Sequence, residues 1–260
     1  MNRPVKREIE NFFAALRFFT RLPVPAWVGH TQDQLDHATR YFPLIGIVIG
    51  TIGAAVTLLA AWLLPLSLAV LAGMAATLLA TGAFHEDGFA DACDGFGGGW
   101  DKAQVLRIMK DSRMGSYGAI GIGLMLLAKW NALVEIGADE ELADLLIYAI
   151  VAAHAASRLA AVPLIHLLDY VREDASTKAK PLANRMTPLE LLLAAGFGLA
   201  PCLLLPWQNA LAALAGVVLV GWLAARYFVR RIGGYTGDCL GATQQCAELA
   251  FLLGMLCSFT

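Results

Sequence analysis

Three aspartates in the stretch 84–101 have the spacing of a metal site. Asp87, Asp91 and Asp94 follow one another at intervals of four and three residues, so a helix with about 100° per residue brings them within an arc of roughly 60°. Three carboxylates on one face repel one another unless a cation neutralises them. Mg²⁺ commonly uses one or two carboxylates together with waters and phosphate oxygens. The spacing therefore predicts a Mg²⁺ site that handles a phosphorylated substrate.

The same stretch contains a histidine and several glycines. His85 and Glu86 belong to the same cluster as the aspartates. Gly88 and Gly95 allow a ligand to approach the backbone closely and expose N–H groups to an anion, so we assign them to substrate binding. The plain alternative is a solvated acidic loop, although such a loop has no need for this spacing or for so many glycines.

The next stretch, 106–118, reads LRIMKDSRMGSYG and combines cations with a carboxylate. Arg107 and Lys110 share one helical face and could clamp a diphosphate. Asp111 could complete the metal shell, and Ser112 could contact the substrate. Anchoring of the segment to a membrane surface is the competing explanation for the cations.

Polar residues also interrupt two apolar segments. His154 and Arg158 lie one helical turn apart, and an intramembrane arginine is a functional candidate whose natural partner is a phosphate or an acidic side chain. Gln244 and Glu248 are also one turn apart, so we expect them to face a common cavity with Asp238. Structural pairing between helices is the competing explanation for both groups.

The composition identifies the broad class of protein. Of 260 residues, 58% are hydrophobic and 15% are charged, against about 25% charged in ordinary soluble domains. The net charge is −2, and no basic stripe interleaved with aromatics indicates nucleic-acid binding. Five cysteines without paired spacing are interpreted as reduced packing residues. The sequence therefore predicts a polytopic membrane protein in contact with a lipid bilayer.

The elements that position these residues are apolar segments long enough to cross about 30 Å of hydrocarbon. We predict a single domain, 1–260, that is an all-α helix bundle with about six to seven transmembrane helices. Within the cytoplasmic or interfacial segment 1–40, an amphipathic helix precedes the bundle. The predicted spans are 41–64, 66–84, 117–137, 143–168, 189–206, 208–228 and 242–260.

The basic residues predict an orientation. Seventeen of the nineteen lysines and arginines lie in four segments that alternate with short turns lacking them, so all four segments are expected on the cytoplasmic side. That places the N-terminus and an acidic active-site loop, 85–116, in the cytoplasm. Lys129 and Arg158 fall inside predicted spans, where they should face protein or water because contact with lipid is costly.

Four strings together resemble a known family. FHEDGFADACDG, IMKDSRMGSYG, GDCLGA and FTRLPVP are similar to motifs of the bacterial cobalamin synthase family, the adenosylcobinamide-GDP ribazoletransferases. The resemblance covers the whole chain and preserves the order of the motifs. The family pattern His-x-Asp-Gly-x-Ala-Asp-x-x-Asp-Gly matches Asp87, Asp91 and Asp94, whereas Glu86 occupies a variable position.

The resemblance implies a multi-pass enzyme of the bacterial inner membrane with Mg²⁺ as cofactor. Such an enzyme joins adenosylcobinamide-GDP to α-ribazole or α-ribazole 5′-phosphate, releases GMP, and gives adenosylcobalamin or its 5′-phosphate. In this scheme Arg107, Lys110 or Arg158 neutralises the departing GMP. Asp111, Asp238 or His85 accepts the proton of the attacking ribose hydroxyl. Other corrinoid-pathway proteins and a second copy of the chain are conceivable partners.

Two other classes of protein remain as alternatives. A CDP-alcohol phosphotransferase also uses membrane aspartates and a metal, but its motif requires Ala-Arg after the second aspartate, where this chain continues with Phe96 and Gly97. A cation-coupled transporter or corrinoid permease would use intramembrane Lys129, Arg158 and Glu248 to line a path.

Overall fold

The structure is a computed structural model that describes residues 3–29, 31–141, 143–171 and 186–257. These residues form an all-α bundle, which confirms the predicted fold class. Short 3₁₀ turns join some of the helices, at Thr39–Tyr41, Ala143–Leu145 and Ala200–Leu204. In this part of the chain the helices are α1 (Arg3–Phe19), α2 (Gln32–Ala38), α3 (Phe42–Ala61), α4 (Leu66–Thr81), α5 (Phe84–Gly98), α6 (Lys102–Met109), α7 (Ser116–Ala138), α8 (Leu146–Leu167), α9 (Pro188–Leu199), α10 (Trp207–Ile232) and α11 (Gly237–Met255).

Several helices have the length and apolarity of membrane spans. Among the described residues, four segments meet these criteria, and the bent pair of α4 and α5 adds a fifth if it is one span. A polytopic helical membrane protein is therefore confirmed as the class, whereas the count of six to seven spans stays a prediction. The four segments are Gln34–Ala61, Ser116–Ala138, Ala143–Leu167 and Trp207–Ile232.

The connection between α4 and α5 departs from the predicted span 66–84. Helix α4 ends at Thr81 because Gly82 and Ala83 adopt left-handed backbone angles, with φ of 68° and 58°. The chain bends by 88° at this point, and α5 begins at once. The segment 85–116, predicted as an acidic loop between spans, contains helices α5 and α6, and α5 is the helix that the spacing of the aspartates requires.

The predicted N-terminal amphipathic helix is present as α1. Its apolar face is buried against the bundle, with Ala14, Ala15 and Phe19 at most 5% exposed. The helix ends just before the proline-containing segment 22–25. Helix α1 is therefore part of the hydrophobic core, where its aromatic residues can contribute to a site.

Helices α8 and α11 occupy the centre of the bundle, and α10 lies at its outside. In the most apolar part of each segment, 67% of the residues are buried around α8 and 17% in α10. Most residues of α11 are buried as well. Small residues permit this close packing. A side chain at Gly46 of α3, for example, would come within 2.3 Å of the His154 carbonyl oxygen. Exposed apolar residues such as Leu219 and Trp222 on α10 suit contact with lipid.

Candidate active site

The acidic face of α5 is formed as the spacing predicted. Residues 84–98 are continuous helix, and burial increases along the face: Asp87 is exposed, Asp91 is half-buried, and Asp94 is 8% exposed. The three carboxylates therefore have different surroundings, although they share one side of one helix.

Asp94 caps the N-terminus of α7. Its Oδ2 accepts a hydrogen bond from the Gly115 amide at 2.7 Å, and its Oδ1 accepts one from the Gly118 amide at 2.8 Å. A Cβ atom at either glycine would lie within 2.4 Å of the Asp94 carboxylate, so only glycine leaves room for it. The positive end of the helix dipole also favours a carboxylate here. Asp94 thus joins α5 to the start of α7.

A three-aspartate metal site is not assembled in this geometry. Within the ranges that the structure describes, no three His, Cys, Asp or Glu side chains are grouped closely enough to hold a metal ion. Asp87 and Asp91, one turn apart and accessible from solvent, still supply the two carboxylates that Mg²⁺ commonly takes alongside waters and phosphate oxygens. The donor set fits Mg²⁺ bound by two aspartates, with Asp94 engaged in its helix cap.

Gly88 and Gly95, which we predicted to approach a ligand, make helix contacts instead. A Cβ at Gly88 would lie 3.1 Å from the Cα of Asp238 on α11, and one at Gly95 would lie 2.5 Å from the Cγ of Met109 on α6. Their direct substrate-binding role is therefore not supported, because protein atoms fill the space that a ligand needs. Their absent side chains bring α6 and the start of α11 against α5.

Helix α6 ends beside this acidic face. Met109 contacts Gly95 of α5 and receives a weak hydrogen bond from Thr236, whose oxygen lies 3.9 Å from its sulfur atom. Lys110 follows as the C-cap residue, and Arg107, Lys110 and Ser112 are all exposed. The predicted phosphate-binding cations thus lie at the surface, next to the elements that carry the aspartates.

Asp111 is held by its neighbour Arg113. The guanidinium Nη2 donates to the Asp111 Oδ2 at 2.7 Å, and the hydrogen bonds from Arg113 lower the pKa of Asp111 to about 2. A general base works best with a pKa near the operating pH. Asp111 therefore suits binding or orientation better than the proton-accepting role we considered for it.

Asp238 lies in the first turn of α11, which Thr236 caps by accepting a hydrogen bond from the Cys239 amide. The contact at Gly88 places the backbone of Asp238 against α5, at the residue that follows Asp87. We call Asp87, Asp91 and Asp238 the acidic rim. Each is exposed or half-buried, so a solvent-borne ligand can reach all three.

A second polar group is enclosed among α5, α7, α8 and α11. Lys129 forms an ion pair with Glu248, with Nζ 2.5 Å from Oε1. The other Glu248 oxygen lies 3.3 Å from His154 Nδ1 and accepts a hydrogen bond from Gln244 at 2.6 Å. Lys129 faces protein, as predicted. We call this group the buried polar network; its members are Glu86, Lys129, His154, Gln244, Gln245 and Glu248.

Gln245 extends the network to α5. Its amide oxygen accepts from Lys129 at 3.1 Å, and its amide nitrogen donates to Glu86 Oε1 at 2.8 Å. Gln244 and Glu248 therefore share an interior site, as expected. Asp238 does not join them, because it lies six residues earlier, roughly 9 Å back along the helix axis at 1.5 Å per residue. The expected common cavity for all three residues is not formed.

His85 and Arg158 are brought together at a separate cavity of about 70 Å³. Arg158 is 3% exposed and donates from Nη1 to the His154 carbonyl oxygen at 2.9 Å. His85 stacks on Phe19, with ring centroids 5.8 Å apart and planes 8° apart. Sequence reasoning missed the aromatic residues of α1, whose adjacent phenylalanine pairs, 12–13 and 18–19, were the available signal.

These observations define a polytopic helical membrane protein with an exposed acidic rim above a buried polar interior. The chain belongs to the cobalamin-5-phosphate synthase family, whose family model matches residues 11–256. That match agrees with the resemblance inferred from the four sequence motifs.

Related proteins match nearly the full chain. A protein of Shewanella frigidimarina is 48% identical over 96% of this chain and 95% of its own length. One from Ralstonia pickettii is 51% identical over 94% of each chain, and one from Leptothrix cholodnii is 46% identical over 96% of each. All three are named adenosylcobinamide-GDP ribazoletransferase. No solved structure matches this chain.

Proposed function

We propose that this protein joins adenosylcobinamide-GDP to α-ribazole or α-ribazole 5′-phosphate and releases GMP. The observation that carries the proposal is the near-full-length match, at about half identity, to relatives bearing that name. The products are adenosylcobalamin or its 5′-phosphate, so the reaction belongs to the last steps of cobalamin biosynthesis. The acidic rim supports the proposal, because a diphosphate-bearing donor needs a cation site.

We place the protein in the bacterial inner membrane with the acidic rim on the cytoplasmic side. The support is the distribution of lysine and arginine, which are concentrated in the segments that include the N-terminus and α6. Nucleotide substrates are soluble in the cytoplasm, so a rim that faces it is within their reach.

The chemistry is displacement of GMP from the donor diphosphate. A ribose hydroxyl of the acceptor, preferably the 3′-hydroxyl, attacks the phosphorus next to cobinamide. The new P–O bond forms as the bond to GMP breaks, and the hydroxyl proton passes to Asp238. Arg107 and Lys110 neutralise charge on the departing phosphate. The transfer is balanced and needs no oxidant.

Asp87 and Asp91 are the residues that would hold Mg²⁺, with Asp94 structural. When bound, the ion neutralises the diphosphate and orients it for in-line displacement. The chain itself supplies orientation, since the capped start of α7 and the contact of Gly88 with α11 fix α5 in place.

The test uses the full chain purified in detergent and incubated with adenosylcobinamide-GDP, α-ribazole and Mg²⁺. We expect equimolar GMP and cobalamin by mass spectrometry, with no product from CDP-diacylglycerol. Asp91→Asn is the matched control and should reduce both products together. Uptake of corrinoid by proteoliposomes without GMP formation would instead support a transporter.

A further inference from the structure

Four phenylalanine rings line the cavity beside Arg158, which we call the aromatic cavity. They come from three helices that are distant in sequence: α1, α3 and α5. His85 and Arg158 contribute polar atoms on the bundle side. The four phenylalanines are Phe18, Phe19, Phe42 and Phe84.

The rings form a buried floor and a partly exposed rim. Phe19 and Phe42 are 5% and 3% exposed and pack edge to face with centroids 4.0 Å apart. Phe84 packs edge to face on Phe19 at 5.6 Å but is 42% exposed. The open side of the cavity is therefore at Phe84, with the partly exposed Phe18 beside it.

Arg158 presents a donor that lacks a partner. Its Nε is buried and makes no hydrogen bond with any described residue. Its Nη1, by contrast, donates a hydrogen bond to the His154 carbonyl oxygen. A buried donor without an acceptor is unfavourable. A ligand that enlarges the aromatic cavity and brings one acceptor atom to this nitrogen removes the penalty.

We propose that the aromatic cavity binds the flat base of the ribazole acceptor, an inference that rests on the proposed function. The benzimidazole base offers wide apolar faces for the phenyl rings and a single ring nitrogen that can accept from Arg158. Guanine, the base of the donor, carries several donors and acceptors, most of which would stay unpaired among phenylalanines.

The position of the aromatic cavity also favours the acceptor. His85 lies in the same helical turn as Asp87, and Gly237, another lining residue, directly precedes Asp238. The aromatic cavity and the acidic rim thus share α5 and the start of α11, so a ribose attached to a base in the cavity is only a few residues from the rim where the donor diphosphate reacts.

The size of the aromatic cavity requires one side chain to move. Its volume of about 70 Å³ is below the roughly 150 Å³ that holds a benzene ring in an engineered protein cavity. The half-exposed Phe84 ring must swing outwards to admit a bicyclic base and then close over it.

The test compares two variants with a control, all as full chains in detergent. Phe84→Leu removes the stacking ring, and Ala161→Leu adds bulk to a cavity-lining alanine on α8. Tyr148→Leu removes a similarly exposed ring, 45% exposed, at the other end of α8. We expect KM for α-ribazole to rise about three- to tenfold in the first two variants. KM for adenosylcobinamide-GDP should stay unchanged, and Tyr148→Leu should behave as wild type.

A second measurement uses 5,6-dimethylbenzimidazole alone as the probe. It should inhibit competitively against α-ribazole, bind in equilibrium dialysis without nucleotide, and bind more weakly to Ala161→Leu. A selective rise in the KM of the donor, or equal changes in both KM values, would overturn the proposal. Dimethylbenzimidazole binding by a wild-type protein that releases no GMP would support the cavity and overturn the proposed function instead.

Discussion

The acidic rim and the buried polar network both contain carboxylates, but the surroundings of those carboxylates differ. Glu248 is 4% exposed and has Lys129, His154 and Gln244 around it. The rim carboxylates lie at the surface, where water and ligands can reach them. Charge inside this bundle thus joins helices to one another, whereas the charge at its edge is the part that we propose for chemistry.

Breaking the Lys129–Glu248 pair should have the largest effect. Glu248→Ala leaves a buried ammonium without its counter-ion, which costs about 3–5 kcal/mol of folding free energy. Denaturation of the protein in detergent, followed by circular dichroism, measures the loss. Glu135→Gln, at an exposed glutamate on α7, is the control and should be close to neutral.

A double variant separates the ion pair from simple loss of packing. Lys129→Met combined with Glu248→Gln removes both charges, so it should recover part of the stability lost in Glu248→Ala. A double variant less stable than Glu248→Ala would show that the pair is not the source of the effect.

Neutralising a carboxylate of the acidic rim should reduce activity, whereas breaking the Lys129–Glu248 pair should reduce stability. Asp87→Asn and Asp91→Asn each remove a proposed Mg²⁺ ligand, and GMP release should fall at least about tenfold, the lower end of the effect seen for groups around metal sites. The unfolding curve of Asp87→Asn, at the exposed end of the face, should match that of wild type. Full activity in both variants would contradict a catalytic rim.

Asp94 should behave as a structural residue, although it shares the helical face of the rim. Asp94→Asn keeps one acceptor for two amide donors, so the free energy of unfolding should fall by about 1–2 kcal/mol. Asp101→Ala is the matched control for loss of a helix cap, because the Asp101 side chain caps α6 by accepting a hydrogen bond from the Gln104 amide. Unchanged stability in Asp94→Asn would argue against the cap.

The smallest effect is expected at Asp111. The hydrogen bonds from Arg113 lower the pKa of Asp111 from an ordinary 3.8 to about 2. The stabilisation from this pair is therefore fully present above pH 3.8 and is lost only as the pH falls through about 2. Asp111→Asn should therefore leave the shape of the pH–rate profile unchanged between about pH 5 and 8. If the acidic or basic limb of the pH–rate profile moved within that range, Asp111 would be the proton acceptor after all.

The sequence predicted the elements better than their contacts. Helix α5 and its acidic face follow from local spacing, and the apolar segments follow from composition. Partners distant in sequence could not be predicted this way: Asp94 with Gly115, or Lys129 with Glu248. The bend at Gly82 and Ala83 escaped prediction because alanine rarely adopts a left-handed angle. The glycines assigned to ligand binding are packing residues, since both roles need the same absence of a side chain.

The division of α5 into ligand-binding and structural aspartates is tested most directly by Mg²⁺ dependence. The measurement is the Mg²⁺ concentration for half-maximal GMP release in Asp91→Asn and Asp94→Asn, titrated side by side with wild type. We predict that Asp91→Asn raises this concentration at least about tenfold, whereas Asp94→Asn leaves it at the wild-type value. A raised requirement in Asp94→Asn with none in Asp91→Asn would contradict the account.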